Sequence, residues 1–207
     1  GTGATTCRCR GMTTTTSAPP RPAAPDVERP ELLLVCGVAG IAGGLALVLL
    51  QQVALARAPD HDAVADTISA LAKGPTAWIM DLGFYCQAAG AIGLSIGAAH
   101  FHPGRWGWSV GVLTLALIAL VVTLLGVYDD FHGHPVPPEA YTVHTRLTFL
   151  LGPLYVIGPL AMAQGAARVS RLYGALFVAS GLASGALGLA FFLVPTGIDG
   201  LVERLST

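Results

Sequence analysis

The sequence predicts an all-α integral membrane protein: a bundle of five transmembrane helices with a short amphipathic helix on its outer surface. Three observations carry this. Of 207 residues, 53% are hydrophobic and only 11% are charged, whereas a soluble domain carries about 25% charged residues. A globule of this size cannot be coated with so few charges. Five stretches reach the roughly 20 residues that a hydrocarbon core of about 30 Å demands. No period-2 alternation of apolar and polar residues marks a barrel strand. The apolar fraction excludes a disordered chain, and the 26 glycines lack the three-residue period of collagen.

The spans fall at 32–56, 78–99, 106–128, 147–167 and 172–194. Only the second contains a charge, Asp81, near its start. Residues 32–207 therefore form one bundle domain. The arm before it, 1–31, is rich in Thr, Pro, Ala and Arg without an apolar period, which predicts disorder. It also lacks the apolar core of a signal peptide. Met12 followed by four threonines reads as a native start. Cys7 and Cys9 stand in this arm as a C-x-C pair, too little to define a metal site or a disulfide scaffold.

Five spans put the loops alternately on two sides. Arg8, Arg10, Arg21, Arg29, Arg105, Arg168 and Arg171 share one side, while Arg57, Lys73, Arg146 and Arg204 share the other. The side richer in Lys and Arg is expected in the cytoplasm. The reading is a multi-pass plasma-membrane protein with its N-terminus cytoplasmic and its C-terminus extracytoplasmic. Trp78, Trp106, Trp108 and Tyr128 sit at span ends, where aromatic rings anchor at the interface. A net charge of −1 leaves no basic field for nucleic acid.

Lipid offers no hydrophobic drive between helices, so close contact through small residues must hold them. Gly40/Gly44, Gly93/Gly97, Gly107/Gly111 and Gly181/Gly185 supply such contacts, and packing within the bundle is favoured over dimerisation. The fourth span contains Pro153 and Pro159, each of which removes a helix hydrogen bond and predicts a kink. Cys36 and Cys86 fall in opposite leaflets, too far apart for a disulfide.

The outer side collects nine of the twelve acids. In its first loop Val64, Ile68 and Leu71 recur at helical spacing, with Asp62, Asp66, Ser69 and Lys73 on the opposite face. Gly74-Pro75 stops the pattern. The plain reading turns Asp62 and Asp66 to water; the sharper one turns Asp62, Asp66 and Ser69 to the bundle mouth. Asp81 enters the membrane boundary, where a carboxylate is usually paired, and Arg146 is its candidate partner. The second outer loop, Asp129 to Thr145, carries Asp129, Asp130, His132, His134, Glu139 and His144. His132, His134 and His144 are candidate ligands for zinc, which takes three protein ligands and a water. No standard spacing such as H-E-x-x-H is present, and a hydrated loop often carries such residues.

Several of these residues form motifs. Asp66-Thr67-Ile68-Ser69-Ala70-Leu71 with Gly74-Pro75 and Trp78, then Gly126 with Asp129 and His144, then Gly200-Leu201-Val202-Glu203-Arg204-Leu205 resemble the signatures of a bacterial membrane family, the "domain of unknown function 998" family. The likeness runs from the first span to the C-terminus. The family is distantly similar to membrane proteins of the Frag1/DRAM/Sfk1 type, linked to lipid and membrane biology, and implies no established activity. Two departures stand out. Val127-Tyr128 replaces a frequent Phe-Pro, and the family's usual sixth helix does not follow Glu203-Arg204, which fits a five-helix variant or a truncated chain. The motifs of the resemblance coincide with polar residues that the span topology puts on the outer side: Asp66, Ser69, Asp129, His144, Glu203 and Arg204.

Three functions compete. The first is binding of a membrane lipid, a membrane-protein partner or a second copy at the outer mouth, with Asp62, Asp129, Arg146, Glu203 and Arg204 as binding residues. The second is a metal-dependent lipid hydrolase, with Asp66, Ser69 and Asp81 as catalytic candidates and the three histidines holding zinc. The third is transport, which the absence of a repeat and of mid-span charges disfavours.

Overall fold

The computed structural model describes residues 1–3, 29–72, 74–103, 105–128, 143–193 and 197–206. Five long helices are apolar and long enough to cross a membrane. They are α1 (Pro30–Ala56), α3 (Ala77–His100), α4 (Trp106–Val127), α5 (Val143–Val169) and α6 (Arg171–Leu193). Two short α-helices, α2 (Ile68–Leu71) and α7 (Asp199–Ser206), and a 3-10 turn at Gly74–Thr76 complete the helices of the described residues. No strand occurs among them. The protein is a multi-pass helical membrane bundle, and the long helices lie where hydropathy places the spans.

Local chemistry sets the helix ends. Pro30 opens α1 at a position where its missing N–H costs nothing. Gly74 adopts φ +62°, a left-handed turn that glycine enters freely, and lets the chain swing from α2 into α3. The Thr76 hydroxyl donates to the Leu71 carbonyl (2.7 Å) and closes that turn. Pro153 and Pro159 lie inside α5, which stays one helical run through both, although each removes an i→i−4 hydrogen bond.

The long helices pack as a row in chain order: α1 on α3, α3 on α4, α4 on α5, and α5 on α6. Small residues permit the close approaches. Gly43 of α1 meets the Cys86 carbonyl and Gly90 of α3, and Gly107 of α4 meets the Ala161 carbonyl of α5. Gly44 faces open space instead. The main core, around Leu47, Ile79, Met80, Phe84, Val122 and Leu151, lies toward one end of the bundle and includes Ile68 and Leu71 of α2. A smaller core at the other end joins Trp108, Met162 and Ala166. Outward faces such as Leu34, Val38, Ile41 and Leu45 of α1 stay exposed and apolar, as lipid contact requires.

Two expectations change in the structure. The amphipathic helix is one turn, Ile68–Leu71, rather than a surface helix starting at Asp62. Side chains compete for its backbone: the Asp62 carboxylate accepts the Val64 and Ala65 N–H groups, and the Asp66 carboxylate accepts the Asp62 N–H. The apolar face does not lie on a membrane surface, because Ile68 and Leu71 are only 3% and 1% exposed and enter the core. Trp108 is no interfacial anchor either. It is buried, and its indole N–H donates to the Ala98 carbonyl (2.7 Å), whereas Trp106 remains 81% exposed. Cys36 and Cys86 are free thiols.

Candidate functional site

The polar residues converge at the end of the bundle where α1 and α6 finish and α3 and α5 begin. Three pieces build it: the loop of residues 57–72, the first turn of α5, and α7.

The first loop is pinned by α7. The Leu201 N–H donates to the Val64 carbonyl (3.1 Å). The Ile68 N–H donates to the Glu203 carboxylate (2.6 Å), which satisfies an N–H that the first turn of α2 leaves without a helical acceptor. Arg204 donates through Nη1 to the Ala63 and Asp66 carbonyls (2.7 and 2.9 Å). Its Nη2 lies 3.1 Å from His61 Nε2, while His61 Nδ1 stands 3.8 Å from the Asp66 carboxylate. Gly200 lies against the Asp66 carbonyl so closely that a Cβ would overlap it.

With the loop held, Ser69 turns inward. Its Oγ lies 2.8 Å from Nε2 of His144, which is only 6% exposed. His144 Nδ1 is buried without a hydrogen-bond partner among the described residues. Ser69, His144 and Glu203 line the mouth of a cavity of about 90 Å³. Its remaining walls are mostly apolar, with Leu47, Phe84, Leu125, Leu151 and Phe191 among them. His144, Thr148, Leu151 and Tyr155 share one face of α5, and the cavity follows that face over about 16 Å at 1.5 Å per residue. At its far end Gln87 donates to the Tyr155 hydroxyl (2.9 Å). Both residues also line a second, larger apolar cavity of about 560 Å³. That chamber lies between α1 residues such as Gly37 and Gly40 and Phe177 of α6.

Burial shapes the charges. Glu203 is pushed up from 4.5 to about 7 by desolvation, against the opposing pull of the Ile68 N–H and Arg204. His61 is lowered, chiefly by burial and further by Arg204, while Asp66 pulls it up. Asp62 is lowered by the N–H groups of Val64 and Ala65.

The structure thus joins Asp66, Ser69, His144, Glu203 and Arg204, which are far apart in sequence. Asp62 is exposed and caps the loop. Arg146 is exposed at the start of α5, and Asp81 is half-buried on α3. Asp129, His132 and His134 lie outside the described residues. Among the described residues no group of three His, Cys, Asp or Glu could hold a metal. His144 commits Nε2 to Ser69 and keeps only Nδ1 for a ligand.

Three features escape a reading of the sequence: α7 as a helix, the tie from His61 to Arg204, and the Gln87–Tyr155 bridge. Leu201, Val202 and Leu205 after Gly197 could have signalled α7. An amide and a phenol in mid-span could have signalled the bridge, since polar groups there need partners.

A family model described as "Protein of unknown function (DUF998)" matches residues 41–207. The chain belongs to the DUF998 family. The matched region holds every residue of the site, from His61 in the first loop to Arg204 in α7. No curated protein matches the chain, and no solved structure matches it.

Proposed function

We propose that this DUF998 protein binds a membrane lipid at the polar end of its bundle, with the head group at Ser69, His144 and Glu203 and the chain in the apolar interior. His144 Nδ1 carries the reading: it is a buried polar atom, without a partner among the described residues, on a residue that lines the cavity. Such an atom is costly to bury unsatisfied, and a ligand donor or acceptor relieves that cost. The surroundings suit an amphiphile, with hydrogen-bonding groups at the mouth and hydrocarbon walls below. The larger chamber behind Gln87 and Tyr155 is within the 300–1,000 Å³ typical of ligand sites. We place the protein in the plasma membrane with this end extracytoplasmic, because the opposite side carries more Lys and Arg.

Native mass spectrometry of gently extracted protein tests the binding. The wild type is expected to retain about one lipid per chain, and His144→Leu is expected to lose it at equal helix content. Leu34→Ala, on the exposed face of α1, is expected to keep it. A wild type that carries no lipid after extraction in several mild detergents overturns the reading.

A further inference from the structure

The pairing of Ser69 with His144 goes further than binding needs. A lipid head group could be held by either side chain alone. Here the serine oxygen and the imidazole nitrogen sit 2.8 Å apart, within the 2.6–3.2 Å reach of a nucleophile and its general base. The segment that carries the serine is anchored on both sides. Ile68 and Leu71, before and after Ser69, are buried, and Glu203 accepts the N–H of Ile68 one residue before it. His144 is fixed by burial in the first turn of α5. The pair faces an apolar cavity, where electrostatic interactions are stronger than in water. Glu203 brings a carboxyl group to the lining of the same cavity.

We propose that Ser69 and His144 form a nucleophile–base pair that cleaves an acyl ester of the bound lipid. Ser69 Oγ adds to the ester carbonyl carbon while its proton passes to His144 Nε2. The carbonyl π electrons move onto oxygen and then return, breaking the carbon–oxygen bond to the alcohol. The departing alkoxide takes the proton from Nε2, which leaves an acyl group on Ser69. Water repeats the sequence: it gives a proton to Nε2, attacks the acyl-serine and releases a carboxylic acid, and the proton returns to Oγ. The net reaction is ester plus water to acid plus alcohol. His144 Nδ1 is the hydrogen-bearing nitrogen in this cycle. The proposal rests on the lipid-binding reading for its substrate class.

Labelling with a fluorophosphonate, which phosphonylates activated serines without needing the substrate, tests it in the detergent-purified full chain. The expected result is one label per chain, mapped by peptide mass spectrometry to Ser69 and unaffected by a chelator. Ser69→Ala should abolish it, and His144→Gln should slow it about 100-fold or more. Absence of label on Ser69 in helical, lipid-retaining protein overturns the proposal and leaves the binding reading in place. Labelling that His144→Gln leaves unchanged overturns the base role, and labelling lost with chelator overturns the metal-free pair. Label on Ser69 in protein that carries no lipid sinks the binding reading while the pair stands. Ser69→Ala removes only one oxygen, so the mapping remains decisive if His144→Gln folds poorly.

Discussion

Arg204 shows how much one side chain can organise. It is half-buried, spans two backbone carbonyls and reaches His61. Hydrogen bonds from charged donors contribute about 1.5–3 kcal/mol each. Arg204→Met is therefore expected to release α7 from the first loop, seen as faster hydrogen exchange at Leu201–Leu205 while α3 and α4 stay protected. Gly200→Ala should act in the same direction, because the added methyl meets the Asp66 carbonyl. Glu203 makes this docking sensitive to pH. Its docked value is raised from 4.5 to about 7, so its contribution is full below 4.5 and is lost as pH rises through about 7. The change is on the order of 3 kcal/mol. A spin label at Leu205 is expected to gain mobility between pH 5 and pH 8, and Glu203→Gln should flatten that profile.

At the scale of elements, α2 matters out of proportion to its length. One turn of four residues is not stable alone, so its position derives from burying Ile68 and Leu71 and from the α7 clamp. Truncating a buried leucine costs about 2–5 kcal/mol. Leu71→Ala should lower the melting temperature and also separate Ser69 from His144, so that fluorophosphonate labelling falls with it. The apolar spacing of Val64, Ile68 and Leu71 was legible in the sequence. That only Ile68 and Leu71 would be buried was not, because the Asx turn at Asp62 and the reach of Arg204 decide where the helix starts. On α5, Tyr155 closes the narrow cavity with Gln87. Gln87→Ala should join it to the larger chamber, and the lipid retained by the variant should shift to longer chains in mass spectra.

At the scale of the whole molecule, the described residues form a row of five long helices whose first and last members, α1 and α6, flank the larger chamber. Both helices show most of their surface outward, so the bilayer completes the fold as much as the chain does. The polar site occupies one end, and Arg29, Arg105, Arg168 and Arg171 mark the other. In intact cells, single cysteines in a background lacking the native four test the orientation. An impermeant maleimide should label position 205 and spare position 105; the reverse pattern would invert the molecule and place the site in the cytoplasm.

The five spans, to within a few residues at their ends, and the gathering of Asp66, Ser69, His144, Glu203 and Arg204 at one end followed from the sequence alone, because hydrocarbon thickness sets helix length and helices must alternate direction; that α5 begins at Val143 and so takes His144 out of the loop did not. Small residues at regular spacing likewise foretold close contact between neighbouring helices. Which residues touch was decided only by tertiary structure. Ser69 meets His144 across 75 positions, and Glu203 meets Ile68 across 135; no local pattern encodes such distances. Trp108, read from its place in a span as an anchor, became core because a partner helix covered it. Hydropathy reports how deep a residue lies in the membrane. The angle at which it faces its neighbours, and with it the chemistry it can perform, is set by the packing of helices that the sequence brings together only when all are folded.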